Sequence, residues 1–463
     1  MTSNDFDTPR EASIHPPLTA PARPSSDAAW SKQGLFWRVV KNSGMVLSGK
    51  GVATLSGLAY LALAARGLGA ADFGIIVLTH SLMILITQIM SFKSSEVLIK
   101  YGAGCIHEKE FEKFQRLIKL TLSLDLASGI VGALVAIATI QLLGSRLGLP
   151  DDAVSLASAY CVLIVLNITA TPSGILRLFN RFDLIAYQML VDPLTRLIGT
   201  AAAFYFGAPW QTYLLVWFLA RFANSITLIA IAWLELRRQD LLRIIDRDFR
   251  NLAAAHPGIW TFSWSSNLHG TVNLVGTQMA TLLVAAVLGP AGAALFKIAQ
   301  EIASVIGNAS QFINNALYPE LVKLAAASAG KDIGRIIKRA GRVGMLVGIG
   351  FTAIILIGGK AALFQLFGAE FVGAFGVLVL MSLASTIELM TFPYEPALYV
   401  AGRPQIAFYL KFLTSGVQIV ALFVLLNLIG LSGAGYAAII ASSLAAVLLL
   451  IVTKRVLKRS YAT

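Results

Sequence analysis

Long apolar runs separated by short polar breaks fill the chain from residue 44 to residue 453. The runs are continuous and do not alternate at every second position, so they read as helices and not as strands. Each is roughly 20 residues or more, the length a helix needs to cross about 30 Å of hydrocarbon. Twelve can be placed. The first half holds 44–65, 73–92, 117–143, 156–178, 184–206 and 211–234. The second holds 262–288, 293–318, 340–358, 372–391, 406–429 and 434–453. A bilayer accepts only helices or closed barrels. The pattern therefore predicts an all-α integral membrane protein with about 12 transmembrane helices.

The polar breaks repeat. Ala64–Gly74, AARGLGAADFG, separates the first two runs, with Gly67 and Gly69 turning the chain and Asp72 able to accept from orphan N–H groups of the next helix. Ala285–Ala294, AAVLGPAGAA, separates the seventh and eighth, and Gly289 answers Gly69. Arg116 and Lys119 match Arg335 and Lys338 at an offset of 219, Pro172 matches Pro393 at 221, and Arg181 and Tyr187 match Arg403 and Tyr409 at 222. Two repeats of six helices share one orientation, which predicts lobes related by an axis along the membrane normal around a central cavity. The expected organisation is a disordered cytoplasmic tail at 1–35, an N-terminal lobe at 36–236 and a basic connector at 237–257. A C-terminal lobe at 258–457 and a cytoplasmic end at 458–463 complete it.

Composition adds less than the pattern. The chain has 463 residues, 57% hydrophobic and 13% charged, with a net charge of +13. Of its 37 Lys and Arg, 29 fall on the side that holds both termini and three (Arg66, Arg146, Lys360) on the other. This split predicts cytoplasmic termini. It assigns the excess charge to anionic lipid, with no call for nucleic acid. Cys105 and Cys161 imply no disulfide framework, and no signal peptide is visible. The absence of a Walker loop, an HExxH or a cysteine–histidine cluster gives ATP use, metal chemistry and enzyme catalysis no anchor, and no cofactor is expected.

Candidate chemistry lies inside the apolar runs. Lys297, Glu301, Ser304, Asn308, Gln311 and Asn315 are spaced 4, 3, 4, 3, 4 and share one helical face. Lipid does not tolerate such a stripe, so it faces protein or a water-filled cavity. His80, Thr87, Ser91 and Ser94 form a weaker stripe on the second helix, and Asn267, His269, Asn273 and Gln278 lie on the seventh. Hydrogen-bonded glue between helices is the competing explanation for single Ser, Thr or Asn residues. Lys297–Glu301 and Asp192–Arg196 are i,i+4 pairs able to neutralise themselves. Lys50 and Arg221 have no acidic residue at helical spacing, and such cations suit a phosphate-bearing substrate. Lys50, Arg221, Lys297, Asn308, Gln311, Asn273 and His80 are the cavity candidates; Glu301, Asp125 and Glu388 are candidates for coupling H⁺ or Na⁺.

Three stretches resemble a known family. ARGLGAADFG is similar to the ARxLGPxxFG turn of Wzx-type oligosaccharide flippases, within the multidrug/oligosaccharidyl-lipid/polysaccharide exporter superfamily. LRLFNRFDLIAYQ at 176–188 and YPELVKLAA at 318–326 look like that family's segments before its fifth helix and after its eighth. The resemblance implies two six-helix lobes around a V-shaped cavity. It also implies alternating access that moves undecaprenyl-pyrophosphate-linked sugars between leaflets of a bacterial inner membrane, alongside other polysaccharide-assembly membrane proteins. Lys50, Lys297 and Arg221 match the family's cationic cavity residues in kind, while the second-half turn departs from it in lacking an Arg. A cation-coupled drug exporter of the same superfamily and, from another class, a membrane-embedded glycan polymerase or ligase remain the alternatives. The polymerase would need a substantial external loop, and the external loops here are short.

Overall fold

The computed structural model describes residues 32–241, 258–326 and 330–460, with side chains for most residues from Gly49 onward. Most of the expected tail and of the basic connector lies outside the described residues. The chain divides into Met1–Gly44, helical where it is described, and Met45–Thr463, which carries everything below.

Every regular element among the described residues is helical. The first half comprises α1 (Lys32–Met90), α2 (Ser94–His107), α3 (Phe111–Leu143), α4 (Asp151–Cys161), α5 (Leu163–Leu166), α6 (Ala170–Leu178), α7 (Phe182–Gln188), α8 (Val191–Tyr205) and α9 (Trp210–Arg238). The second comprises α10 (Ile259–Ala326), α11 (Gly330–Phe367), a 3-10 turn (Ala369–Ala374), α12 (Phe375–Thr391), α13 (Tyr394–Val400), α14 (Pro404–Ile429) and α15 (Ser432–Ser460). Nine helical stretches among the described residues are long and apolar enough to cross a membrane. Two of them, Gly49–His107 and Gly276–Gly307, straddle a glycine break and hold two passes each, and α7–α8 adds one more, which makes twelve.

The expected turn at 65–73 is not a loop. Helix runs up to Gly69, breaks at that one residue (φ 73°, ψ 178°) and resumes at once. Gly289 breaks α10 with nearly the same angles (φ 73°, ψ −179°). Only glycine visits this region freely, which is why both halves place it there. Three further pairs of left-handed positions repeat as well: Gly148 with Gly368, Asn180 with Gly402, and Gly207 with Gly430. Two six-helix repeats are thus visible in the backbone itself.

Where the fourth and fifth runs predict unbroken helices, the structure interrupts each near a proline, while α12 ends at Thr391, where the tenth run ends, just before Pro393. Pro172 lies in the first turn of α6, Pro193 in the first turn of α8, and Pro393 precedes α13. A proline has no N–H to continue the preceding ladder but fits a first turn, so each break falls just upstream of one.

Core packing separates the two ends of the molecule. At the end that carries Gly69 and Gly289, one hydrophobic cluster takes residues from both halves, among them Ala64, Phe73, Ile76, Ala293, Phe371 and Leu426. At the opposite end there are two smaller clusters. One, around Leu98, Phe114, Leu117 and Leu176, is built almost wholly from the first half; the other, around Leu321, Ile333, Ile337 and Ala397, comes from the second. Large apolar side chains such as Leu142, Ile198, Ile357 and Leu428 are exposed, as a lipid-facing surface requires.

Candidate functional site

The cavity lies between the halves, where the shared core gives way to separate ones. Its volume is about 510 Å³, and its wall takes Lys50, Thr54 and Tyr60 from α1, Gln188 from α7, and Asp192 from α8. Arg221 and Asn224 of α9 and Glu301 and Ser304 of α10 complete it. Lys50 is exposed at one extreme, and Leu61 is buried at the other. Beyond Leu61 the helices close: Ala64, Ala65 and Phe73 are fully buried.

Helical rise explains why these groups meet. At about 1.5 Å per residue, His80 and Arg221 lie roughly 16 Å from the glycine end, and Lys297 and Arg196 lie roughly 12–13 Å from it. All four sit near mid-membrane depth, and Arg196, Arg221 and Lys297 are within electrostatic reach of His80. A lone charge at that depth is costly, so partners are expected. Lys297 Nζ lies 2.7 Å from Glu301 Oε1, and Arg196 Nε lies 3.2 Å from Asp192 Oδ1. In both pairs the carboxylate lines the cavity and the cation stands behind it.

Arg196 is held on all sides. It is 2% exposed, its guanidinium lies 4.5 Å from the Trp217 ring and 5.6 Å from the Tyr60 ring, and Nη1 reaches the Tyr60 hydroxyl at 3.5 Å. Tyr60 and His80 both meet Trp217 edge-on, at 5.7 Å and 5.0 Å between centroids. His80 Nδ1 is 2.7 Å from the Tyr160 hydroxyl. A delocalised cation stacked on aromatic faces keeps its charge where an ammonium would lose too much hydration. Behind Tyr60 and Asp192 of the cavity wall there is therefore a fixed positive charge in an aromatic setting. On the wall, Gln188 Nε2 donates to Asn224 Oδ1 at 2.5 Å and Thr54 Oγ1 donates to the Lys50 carbonyl at 2.9 Å.

Lys50, Arg221 and Glu301 thus come together on one cavity, with Lys297 and His80 behind its wall. The side chains of Asn308, Gln311 and Asn273 lie outside the described residues. Asp125 is elsewhere, beside a smaller cavity of about 190 Å³ with Lys93 and Asn167. Its Oδ2 accepts from Thr171 N at 3.0 Å, which caps the broken start of α6. Glu388 lines two small cavities within the second half, each shared with Lys411. Sequence reasoning overlooked Tyr60, Gln188, Trp217 and Asn224. Gln188, Asp192 and Arg196 do carry an i, i+4, i+8 signal; Tyr60 and Trp217 are aromatic residues in apolar runs and carry none.

Known proteins share this architecture. The family described as polysaccharide biosynthesis protein matches residues 39–325. "Inner membrane protein YghQ" of Escherichia coli K12 is 30% identical over 354 residues, which span 75% of this chain and 98% of that protein. Two solved folds superpose with a TM-score of 0.70 each. One is an inward-facing multidrug resistance MATE family transporter of the MOP superfamily, 16% identical, covering 89% of this chain and 96% of its own. The other is the lipid II flippase MurJ in an inward closed conformation, 13% identical, covering 89% of both chains. At such identities the likeness is one of fold. With the matched family spanning more than half its length, this chain belongs to the polysaccharide biosynthesis protein family, as a multi-pass membrane protein with a transporter fold.

Proposed function

We propose that the protein is a flippase that carries a polyprenyl-pyrophosphate-linked oligosaccharide across the bacterial inner membrane by alternating access, for assembly of a surface polysaccharide or lipopolysaccharide. The observation that carries this reading is the composition of the central cavity. Among the described residues Lys50 and Arg221 line the wall, and its two carboxylates, Asp192 and Glu301, are each matched by a cation behind it (Arg196 and Lys297), so the site carries an excess of positive charge for a pyrophosphate. The remaining wall of carboxylate, amide and hydroxyl groups offers acceptors and donors to sugar hydroxyls, and Tyr60 offers a flat face. The polyprenyl tail stays in lipid.

In this reading both termini are cytoplasmic, the glycine end faces outward and the cavity is open to the inside. Rocking of the halves exposes it to the other leaflet. Glu301, tied to Lys297 in the cavity wall, is the carboxylate best situated to couple a proton or Na⁺ to that motion, with Asp125 and Glu388 as the alternatives outside it. The drug-exporter reading favours an unpaired buried acidic pair, whereas Asp192 and Glu301 are each neutralised by a cation.

The test is complementation of a deletion strain with wild type, Arg221→Ala and Lys297→Ala at matched expression. Loss of one charge-assisted contact is worth about 10-fold or more in transport. Surface glycan falls accordingly in each variant, and lipid-linked sugar accumulates on the inner leaflet. Unchanged glycan with increased sensitivity to cationic dyes would replace the flippase by the exporter.

A further inference from the structure

The two halves meet at the glycine end through a pseudo-two-fold interface, and among the described residues its side-chain hydrogen bonds fall on one side. Ala70 is the first residue of the helix that resumes after Gly69, so its N–H has no intrahelical partner. That N–H donates to Glu370 Oε2 at 2.7 Å, across 300 residues of chain. Beside it, Arg66 Nη1 donates to the Gln365 carbonyl at 2.6 Å. Phe73 and Phe371, both fully buried, meet edge-on at 6.2 Å between centroids just beneath.

The repeat says what the mirrored contact would require. Gly69 corresponds to Gly289 and Gly148 to Gly368, both at an offset of 220. Ala70 therefore maps to Pro290, Arg66 to Ala286, and Glu370 to Pro150. Pro290 has no N–H to give, Ala286 has no guanidinium, and Pro150 has no carboxylate. Close packing takes their place: a Cβ added to Gly148 would lie 2.9 Å from Pro290 Cδ. One side of the interface is a helix start capped by an acid from the other half; the other is proline against glycine.

We infer that Glu370 is a one-sided latch that holds the glycine end shut while the cavity is open at the opposite end. The inference rests on the alternating-access reading above and adds the residues that set the closed end's stability. A carboxylate at a helix start gains from the orphan N–H and from the positive end of the helix dipole. Both gains vanish when the halves part, because Glu370 and Ala70 belong to different halves. The proline side offers no polar contact to lose, so it serves as the pivot while the Glu370 side opens.

Distance measurement between spin labels at Ala71→Cys and Lys360→Cys tests the latch, with full-length protein in lipid nanodiscs and Cys105→Ser and Cys161→Ala as background. The expected effect of Glu370→Ala is a rise of about five-fold in the ratio of long to short distances, the usual worth of a helix cap. Glu370→Gln keeps an acceptor and moves the ratio less. Ala70→Pro removes the donor by installing the residue that follows the equivalent glycine in the second repeat, whose backbone angles are nearly the same. It should raise the ratio as Glu370→Ala does, and the two together should do no more than either alone. Multiplying effects, or a ratio that neither variant moves, overturns the latch. The distances are read without substrate, so failure of the flippase reading leaves this result standing, and an unmoved ratio sinks the latch whatever the cargo.

Discussion

Gly74 is a point of close approach between the halves. A Cβ at this position would run into the carbonyl of Pro290, a backbone group with nowhere to retreat. Overpacking of this kind costs about 1–3 kcal/mol. Gly74→Ala should lower the thermal unfolding midpoint in detergent by several degrees, read by fluorescence-detected gel filtration. Gly104→Ala is the control: nothing lies within 4 Å of the added Cβ, and alanine is the better helix former, so its midpoint holds or rises slightly. Equal losses in both would remove the close-approach argument. Arg196 shows a different limit at the same scale. Its i,i+4 pairing with Asp192 is legible from spacing, but its stacking on Trp217 and Tyr60 is not, because those rings come from α9 and α1.

Arg181 ties elements together at the start of α7. It pairs with Asp183 at 3.0 Å within its own turn and with Glu235 at 2.6 Å near the end of α9. Its guanidinium holds the Asp183 carboxyl below the usual carboxylate range. A depressed carboxylate contributes stability above its unfolded pKa and loses it as pH falls through the folded value. Asp183 is partly exposed, so its own share is small; Glu235 is buried and loses its closest contact, keeping Arg238 at 3.9 Å and Gln239 at 3.3 Å. Arg181→Ala should therefore destabilise by about 1.5–3 kcal/mol near neutral pH, the usual worth of hydrogen bonds to charged groups. The Asp183 share of the gap to wild type should shrink as pH falls below the unfolded Asp value of about 4 and on through the lower folded one. Melting curves across pH 3–8 check this, and a gap independent of pH would show that packing, not charge, is lost. The same scale explains the broken fourth and fifth passes: hydropathy reports what meets lipid, whereas a missing proline N–H acts on the hydrogen-bond ladder.

For the whole molecule, one shared core at the glycine end and separate cores at the other imply a cavity reachable from the Lys50 side alone. In a background of Cys105→Ser and Cys161→Ala, both native thiols being buried, Thr54→Cys and Ser304→Cys should react with a membrane-impermeant maleimide. Ala64→Cys, fully buried among the closed helices, should stay unlabelled from either side. Labelling of Ala64→Cys at the cavity rate would mean that the glycine end is not the closed one.

The chain alone determined the class, the pass count and the repeat. Each is written in local terms: run length against bilayer thickness, and turn residues recurring at an offset of 219–222. It also determined that Lys297, Glu301 and Ser304 share one face of α10, since helical period turns spacing into geometry. What only the tertiary structure decided is which polar groups share a space. Lys50, Arg221 and Glu301 stand on three helices far apart in sequence and converge on one cavity, while Asp125 and Glu388, similar to the eye in sequence, lie outside it. Glu370 makes the point most sharply. Asp72, in the first turn of its own helix, is the local candidate for a cap, yet the acid that accepts from Ala70 comes from 300 residues away. Local patterns follow from covalent geometry and solvent; the partners of a buried or capping charge are settled by how two halves of the chain pack.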